Sequence, residues 1–254
     1  MSNYSLSGFS GLTPVVKNLL LLNVAMFIID VILRSTSGFD LSHLLGLHYI
    51  ASADFKPIQF VSYMFLHGDI GHLFFNMFAL WMFGTIIEQF WGAQRFFIFY
   101  MVCGIGAGVV QIVVAYIRIR NLAGELPPEH SAELLNMLYN EGGQVLMQGK
   151  NYVQPLLGQL NVIINTTTIG ASGAIFGLLM AFGMLFPNAY LYIFFAIPIQ
   201  AKYFVILYGA IEFFAGMSNS ASDNVAHFAH LGGMIFAFVL IMWWRKRGVR
   251  SGGF

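Results

Sequence analysis

Residues 70–90 read IGHLFFNMFALWMFGTIIEQF, an apolar run interrupted by few polar side chains. A bilayer core of about 30 Å needs about 20 apolar residues per helix, so this run predicts a membrane-spanning helix. Five other apolar runs, one of them shorter than the rest, lie at 15–33, 96–117, 170–186, 201–216 and 225–244. The sequence therefore predicts an all-α membrane protein, a bundle of six transmembrane helices in a single domain, 1–254.

The composition excludes a water-soluble globular protein. Of 254 residues, 58% are hydrophobic and only 9% are charged, with a mean hydropathy of +0.73. Ordinary soluble domains carry about 25% charged residues, and disordered chains combine low hydrophobicity with high charge. The net charge of +1 provides no basic field, so nucleic acid is not an expected partner. The single cysteine, Cys103, permits neither an internal disulfide nor a cysteine metal cluster.

Basic residues set the expected orientation in the membrane. The aromatic pair Trp243-Trp244 is followed by the basic cluster 245–247, and such clusters stay in the cytoplasm. With six spans the N-terminus is then cytoplasmic too, and Lys17, Arg95 and Lys202 fall on the same side. The first 17 residues contain no Arg and one Lys, unlike an Arg-rich transit peptide. We therefore expect an integral, multi-pass protein of a bacterial plasma membrane with both termini in the cytoplasm.

Three segments between the spans have distinct expected structures. The outer loop 35–69 has long uncharged, partly apolar stretches, which indicate an element lying in the membrane interface. The outer insertion 118–168 contains Pro127-Pro128 and then an amphipathic run, so we expect short helices outside the bilayer that fill space. The run 190–199 is too short to cross and contains Pro198, so it is expected to be an interfacial cytoplasmic segment.

Four polar side chains stand out within the spans, where polar groups are costly and are therefore functional candidates. His72 and Asn76 are four residues apart on one helix face. Ser172 lies in the run Gly-Ala-Ser-Gly of residues 170–173, and His230 lies six residues into the last span. Spans two, four and six all enter from the outer face in the expected orientation. The four side chains should therefore lie at similar depth in one leaflet.

Small residues on the fourth and sixth spans predict that these two helices pack closely. They recur at positions that let helix backbones approach closely in lipid. These positions are Gly173, Gly177 and Ala181 on the fourth span and Ala226, Ala229 and Gly233 on the sixth. Close approach would bring the Ser172 hydroxyl to the His230 ring, and a serine beside a histidine base is an activated nucleophile.

Packing alone can explain each of these residues when it is taken singly. Small residues pack many membrane helices, and Ala174 stands where a Gly-x-Ser-x-Gly elbow would have its last glycine. A single membrane histidine or asparagine can also serve as a hydrogen bond between helices. His227, one turn before His230, is a rival base. A small transporter or channel that uses its His, Asp and Glu residues as a relay is a further open function, although no paired half-sequences are visible.

Other titratable residues have expected structural roles. Asp30 and Arg34 are spaced as an i,i+4 ion pair. Glu88 and Glu212 are expected to form structural hydrogen bonds, and Asp223 is expected to cap the sixth span rather than to act as an acidic catalytic residue. The sequence thus offers no evident acidic partner for a catalytic histidine. Without a His-Glu-x-x-His pattern or a tight ligand cluster, no metal site is expected.

Three motifs carry a resemblance to a known family. Residues 67–76 read HGDIGHLFFN, residues 170–173 read GASG and residues 229–233 read AHLGG. In this order, and on the second, fourth and sixth predicted spans, they resemble the rhomboid family of intramembrane serine proteases. The resemblance covers nearly the whole chain and implies a rhomboid-like bundle that needs no cofactor. It also implies that the substrates are single-span membrane proteins, cut by hydrolysis of a peptide bond near the outer membrane face.

The resemblance further implies a role for each candidate residue. Ser172 and His230 would form the catalytic dyad, and His72 and Asn76 would donate hydrogen bonds to the oxyanion. Four residues after the serine, Phe176 stands where the family tends to place an aromatic ring that stacks on the histidine. The supporting positions are Gly170, Gly173 and Phe176.

The chain departs from the family pattern in its outer loops. Ile58-Gln59 stands where many members have Trp-Arg, and the outer loop before Ser172 is longer than usual. A non-proteolytic rhomboid-like membrane chaperone, which would bind transmembrane helices without cutting them, is the alternative function. Inactive relatives usually lose the serine or the histidine. Both are present here, so the protease is the favoured interpretation.

Overall fold

The structure is a computed structural model, and it describes residues 11–193, 196–218 and 226–248. Over these ranges the chain is mainly helical, with one short β-hairpin. The helices are α1 (Pro14–Ser37), α2 (Leu41–Leu45), α3 (Gln59–Ser62), α4 (Ile70–Ala79), α5 (Thr85–Trp91), α6 (Ala93–Ala123), α7 (Ser131–Met147), α8 (Pro155–Asn165), α9 (Ser172–Leu185), α10 (Ala201–Ser218) and α11 (His227–Lys246). The strands are β1 (Tyr190–Ile193) and β2 (Ile197–Gln200).

Helices occupy the six predicted spans. α1, α6, α11 and the segment Ile70–Trp91 are each long and apolar enough to cross a membrane. In that segment α4 continues into α5 through one π-helical turn, Leu80–Gly84. The fourth predicted span corresponds to the apolar helix α9, which has only 14 residues, and the fifth to α10. The prediction of a helical membrane protein is confirmed, whereas the count of six crossings remains a prediction.

The centre of the bundle is the mutual packing of α6, α9 and α11. Gly177 of α9 faces Cys103 of α6, where an added Cβ would lie 2.6 Å from the cysteine Cβ. On the other side, an added Cβ at Gly233 of α11 would overlap the carbonyl oxygen of Gly173. The structure therefore confirms that small residues bring the fourth and sixth spans into contact. It adds that the glycines of α9 also face α6. Cys103 itself is fully buried in this core, as a packing residue.

The outer loop 35–69 folds into α2, α3 and a 3₁₀ turn, Tyr63–Phe65. Its anchor is Gln59, which is fully buried and forms hydrogen bonds with main-chain groups of the same loop. The side-chain amide donates to the carbonyl groups of Leu44 and Asp54, and its oxygen accepts from the N–H groups of His48 and Lys56. Gln59 therefore holds this loop together at the position where many rhomboids have Trp-Arg.

The insertion 118–168 is helical, as predicted, but its first residues are not a separate segment. α6 continues to Ala123, so 118–123 extend the third membrane helix beyond the predicted end at residue 117. α7 and α8 then pack on this extension around Leu138, Leu160 and Ile164, which are all fully buried. Asn165 joins α8 to α7 by donating to the carbonyl oxygen of Leu138. The insertion thus forms a second small core beside the membrane helices.

Within the segment 190–199, residues 190–193 and 197–199 lie in two paired β-strands. Its position at the cytoplasmic interface remains a prediction. β1 pairs with β2 in antiparallel register, with Tyr190 opposite Gln200 and Leu191 opposite Ile199. Aromatic and β-branched residues and a proline at position 198 suit a short two-stranded ribbon. Length alone excludes a membrane span but does not distinguish an extended ribbon from a surface helix, which is why the sequence interpretation was incomplete here.

Two of the expected structural contacts are present. Arg34 contacts Asp30 at 2.9 Å, which confirms the predicted ion pair, and it also contacts Asp40. Glu88, which is buried in α5, accepts hydrogen bonds from the N–H groups of Val15 and Val16 at the start of α1. These N–H groups have no partner within their own helix, so the carboxylate caps α1 from the neighbouring segment. Asp223, expected to cap the sixth span, lies outside the described residues.

We expect the substitution Glu88→Gln to lower stability without altering the site described below. The neutral amide accepts weaker hydrogen bonds than a carboxylate and loses the favourable interaction with the helix dipole, at a cost of roughly 1–3 kcal/mol. Thermal unfolding of the protein in detergent measures the effect. Glu133→Gln is the matched control, since the Glu133 side chain is 85% exposed. Equal melting temperatures for the two variants would contradict the capping role.

Candidate active site

Ser172 and His230 meet at the contact between α9 and α11. Ser172 is the first residue of α9, His230 is the fourth of α11, and Ser172 Oγ lies 2.8 Å from His230 Nε2. The glycine contact between Gly173 and Gly233 brings the two helix starts together. His230 is 9% exposed and Ser172 is half-buried, so the pair lies at the edge of the core. A hydroxyl within hydrogen-bond distance of an imidazole can be activated as a nucleophile.

Phe176 fixes the plane of the His230 ring. It lies one helical turn after Ser172, and its ring stacks on the imidazole with centroids 4.2 Å apart and planes 7° apart. Tyr208 of α10 packs on Phe176 with a centroid distance of 5.6 Å. Phe176 cannot form a hydrogen bond, so it restricts the ring of His230 by packing alone.

His72 lies against the loop that precedes Ser172. Gly170 has a φ of +124°, and an added Cβ there would lie 2.9 Å from His72 Nε2 and 3.6 Å from Ser172 Oγ. Both its backbone conformation and the close imidazole therefore require glycine at position 170. The Gly170 N–H donates to the carbonyl of Tyr63 at 2.8 Å, which fixes this loop to the first outer loop. His72 is thus held beside the serine by a glycine that leaves room for its ring.

Asn76 lies one turn after His72 on the same helix and is buried. Its side-chain amide donates a hydrogen bond to the His72 carbonyl at 2.8 Å. This bond uses one of the two N–H donors of the amide. The start of α4 is fixed by Asp69, whose carboxylate accepts from the His72 N–H at 2.8 Å. This N-cap sets the direction of the helix face on which His72 and Asn76 lie.

His67 is an uncharged neighbour of His72. It is 1% exposed, and its ring lies edge-on to the His72 ring with centroids 5.0 Å apart. Burial lowers the pKa of His67 from 6.5 to about 3, because the charged form is poorly solvated there. The imidazole is therefore neutral at physiological pH and adds no positive charge beside His72.

The structure adds one residue that the sequence interpretation did not place in the site. Glu212 of α10 is 6% exposed, and its Oε2 lies 2.8 Å from Nδ1 of His230. The same oxygen lies 2.6 Å from Nδ1 of His227. Glu212 does form hydrogen bonds, as expected, and it is an acidic neighbour of His230 that was not evident from the sequence. The sequence feature that could have identified Glu212 is a carboxylate in the middle of an apolar helix, which is costly unless it is paired.

His227, the rival base in the sequence, and His230 share the Glu212 carboxylate, and His230 also contacts Ser172. Glu212, His227 and His230 offer three potential metal ligands whose atoms all lie within 4.8 Å of one another. Imidazole and carboxylate groups are ligands that zinc uses, so among the described residues this cluster has the chemistry to hold such an ion.

Comparison with known proteins gives a consistent result. The Rhomboid domain family matches this chain over residues 54–118 and 134–247. The chain is 26% identical over 233 residues to "Rhomboid protein 1, mitochondrial" of Saccharomyces cerevisiae, an alignment that covers 92% of this chain and 54% of that protein. It is 30% identical over 117 residues to "Rhomboid protease GluP" of Bacillus subtilis, covering 46% of this chain and 23% of that protein. A third relative is "RHOMBOID-like protein 12, mitochondrial" of Arabidopsis thaliana, with 29% identity over 185 residues, 72% of this chain and 44% of that protein.

The chain spans about half the length of these relatives or less. Two of the three are mitochondrial by name, so the comparisons give no support to a bacterial plasma membrane, although they agree with a membrane protein. The matched residues make up well over half of the chain and include Ser172, His230, His72 and Glu212. The chain therefore belongs to the rhomboid family.

Proposed function

We propose that this protein is an intramembrane serine endopeptidase that hydrolyses peptide bonds of single-span membrane proteins near the outer face of the membrane. The observation that carries the proposal is the 2.8 Å contact between Ser172 Oγ and His230 Nε2, inside a membrane-embedded helical core. Membership of the rhomboid family and the similarity to a protein named as a rhomboid protease also support it. The bilayer is the environment of the reaction, and a transmembrane helix is the substrate.

In the proposed reaction Ser172 Oγ attacks the scissile carbonyl carbon while His230 Nε2 takes the hydroxyl proton. The tetrahedral intermediate collapses, the C–N bond breaks, and His230 returns the proton to the leaving amine. Water then attacks the acyl-enzyme ester, with His230 again accepting and returning the proton, and Ser172 is regenerated. The half-buried position of Ser172, at the start of α9, allows water to reach the ester.

Three groups are proposed to stabilise the oxyanion of the tetrahedral intermediate. The Ser172 N–H belongs to the first turn of α9, where N–H groups lack a carbonyl partner in the helix. His72 lies against Gly170, next to the serine, and Asn76 follows on the same helix face. Donors that already point to the developing negative charge require little reorganisation during the reaction.

The experiment that tests this function is covalent labelling. A fluorophosphonate reacts with activated serines, so it should modify the purified full chain in detergent at Ser172, as identified by peptide mass mapping. The Ser172→Ala variant should not be labelled. Labelled wild-type protein should lose cleavage of a single-span reporter. Absence of labelling, together with binding of the reporter without cleavage, would instead indicate a non-proteolytic chaperone.

We expect Asn76→Ala and His72→Ala to weaken catalysis without abolishing it. Removing one oxyanion donor typically costs about 10²- to 10³-fold in turnover, and the nucleophile and base remain. The measurement is kcat for reporter cleavage, together with the rate of fluorophosphonate labelling. Loss of activity as complete as that of Ser172→Ala in a stably folded variant would contradict an oxyanion role for the residue concerned.

A further inference from the structure

We infer that Glu212 is a positioning residue that converts the Ser172–His230 pair into a hydrogen-bonded chain of three groups. The inference rests on the proposed function and concerns how His230 is held ready for it. Glu212 lies on α10, the serine lies on α9, and the histidine lies on α11. The chain runs from Glu212 Oε2 to His230 Nδ1 at 2.8 Å, and from His230 Nε2 to Ser172 Oγ at 2.8 Å.

The tautomer of His230 follows from the hydrogen bonds of Glu212. Oε2 faces the Nδ1 atoms of His227 and His230 together. An ionised carboxylate oxygen can accept two hydrogen bonds at once, so an ionised Glu212 accepts an Nδ1–H from each imidazole. In this form Glu212 places the hydrogen of a neutral His230 on Nδ1. A neutral His230 with its hydrogen on Nδ1 has a free lone pair on Nε2, which is the nitrogen that faces the Ser172 hydroxyl.

Packing around α10 holds the carboxylate in place. Arg118 of α6 donates to the Gly216 carbonyl at 2.9 Å and lies over the Phe228 ring, with 5.4 Å between its guanidinium carbon and the ring centroid. An added Cβ at Gly216 would lie 2.9 Å from the Phe228 ring, so α10 and α11 approach closely there. These contacts hold the outer ends of α6, α10 and α11 together. Glu212 is thereby fixed one turn deeper, beside His230.

The location of Glu212 also favours a role beyond packing. A carboxylate in a membrane span is costly, and an apolar residue would join α10 to α11 at lower cost. Glu88 illustrates the structural alternative, since it is similarly buried but caps the start of α1. A negative charge beside His230 stabilises the imidazolium that forms when the Ser172 proton is transferred. Glu212 thus has both an orienting and an electrostatic effect on the base.

The first test compares Glu212→Gln with Glu88→Gln, which makes the same change at another buried glutamate. In Glu212→Gln the amide has no charge and can rotate to donate to Nδ1, which places the imidazole hydrogen on Nε2. We expect kcat for reporter cleavage to fall about 10²- to 10⁴-fold, with KM changed by less than about threefold. Glu88→Gln should keep both constants near the wild-type values. Wild-type kcat in folded Glu212→Gln would overturn the inference.

Glu212→Asp separates charge from packing. The shorter side chain makes fewer contacts but keeps an ionised oxygen. The kcat of Glu212→Asp should therefore be at least about tenfold higher than that of Glu212→Gln. A purely structural residue would show no such recovery, because aspartate fills the space less well than glutamine does. Equal or lower kcat in Glu212→Asp, with melting temperatures no lower than those of Glu212→Gln, would contradict the role of charge.

A spectroscopic measurement decides the question if Glu212→Gln does not fold. The nitrogen chemical shifts of ¹⁵N-histidine-labelled wild-type protein report the tautomer, and His230→Ala identifies its signals. Hydrogen on Nδ1 of His230, with a strongly downfield proton resonance, supports the inference, and hydrogen on Nε2 overturns it. This readout does not depend on cleavage. Failure of the proposed function would appear as an unlabelled Ser172, whereas failure of this inference would appear as the wrong tautomer with labelling intact.

Discussion

Cleavage of a single-span reporter is expected to disappear in Ser172→Ala and in His230→Ala. Without the hydroxyl no acyl-enzyme can form, and without the imidazole the hydroxyl has no base within 2.8 Å. Removing either member of such a pair in serine hydrolases costs about 10⁴-fold or more in kcat, because the two side chains act as a unit. Each variant should therefore be inactive within the sensitivity of a reporter assay in liposomes.

The double variant Ser172→Ala/His230→Ala tests whether the two residues act in the same step. Because the residues act together, the double variant should be no less active than either single variant, which is the signature of a shared step. Melting temperatures near that of the wild type would show that the losses are chemical, since Ser172 is half-buried and its Oγ is small. Cleavage at the wild-type rate by purified Ser172→Ala would rule out the serine mechanism.

A single methyl group at Gly233 is expected to have the second-largest effect. In Gly233→Ala the new Cβ would overlap the Gly173 carbonyl oxygen, which is backbone and cannot rotate away. α9 and α11 must therefore separate, and Ser172 Oγ and His230 Nε2 separate with them. Overpacking of a core costs about 1–3 kcal/mol, and a misplacement of about 1 Å in a catalytic group can cost about 10²-fold in rate. We expect at least that loss in reporter cleavage and in fluorophosphonate labelling.

Gly209→Ala is the matched control for this prediction. Gly209 is also a glycine in a helix packed on α11, but an added Cβ there would meet the end of the flexible Met234 side chain, at 3.3 Å. This side chain can move, so both melting temperature and cleavage should stay close to the wild type. If Gly233→Ala were as active as Gly209→Ala, the close contact between α9 and α11 would not be what brings the serine and the histidine together.

The first outer loop shows what sequence comparison can and cannot provide. Gln59 was recognisable as a departure from the Trp-Arg of many rhomboids, but its effect was not. In the structure the amide of Gln59 satisfies four main-chain groups within its own loop. A buried side chain with two donors and two acceptor positions can organise a loop from within. The loop depends on hydrogen bonds whose geometry no residue pattern specifies.

The sequence by itself determined the class of the protein, the approximate positions of its membrane helices and the residues that meet at the site. These follow from local features: the length of apolar runs, the spacing of small residues and motifs of adjacent residues. Only the tertiary structure decided that α6 extends past its predicted end and that 190–199 forms a hairpin. It also decided that Glu212 lies beside His230, although 18 residues separate them. The physical reason is that contacts between helices depend on their rotation and tilt, which packing of the whole bundle sets and no single segment encodes.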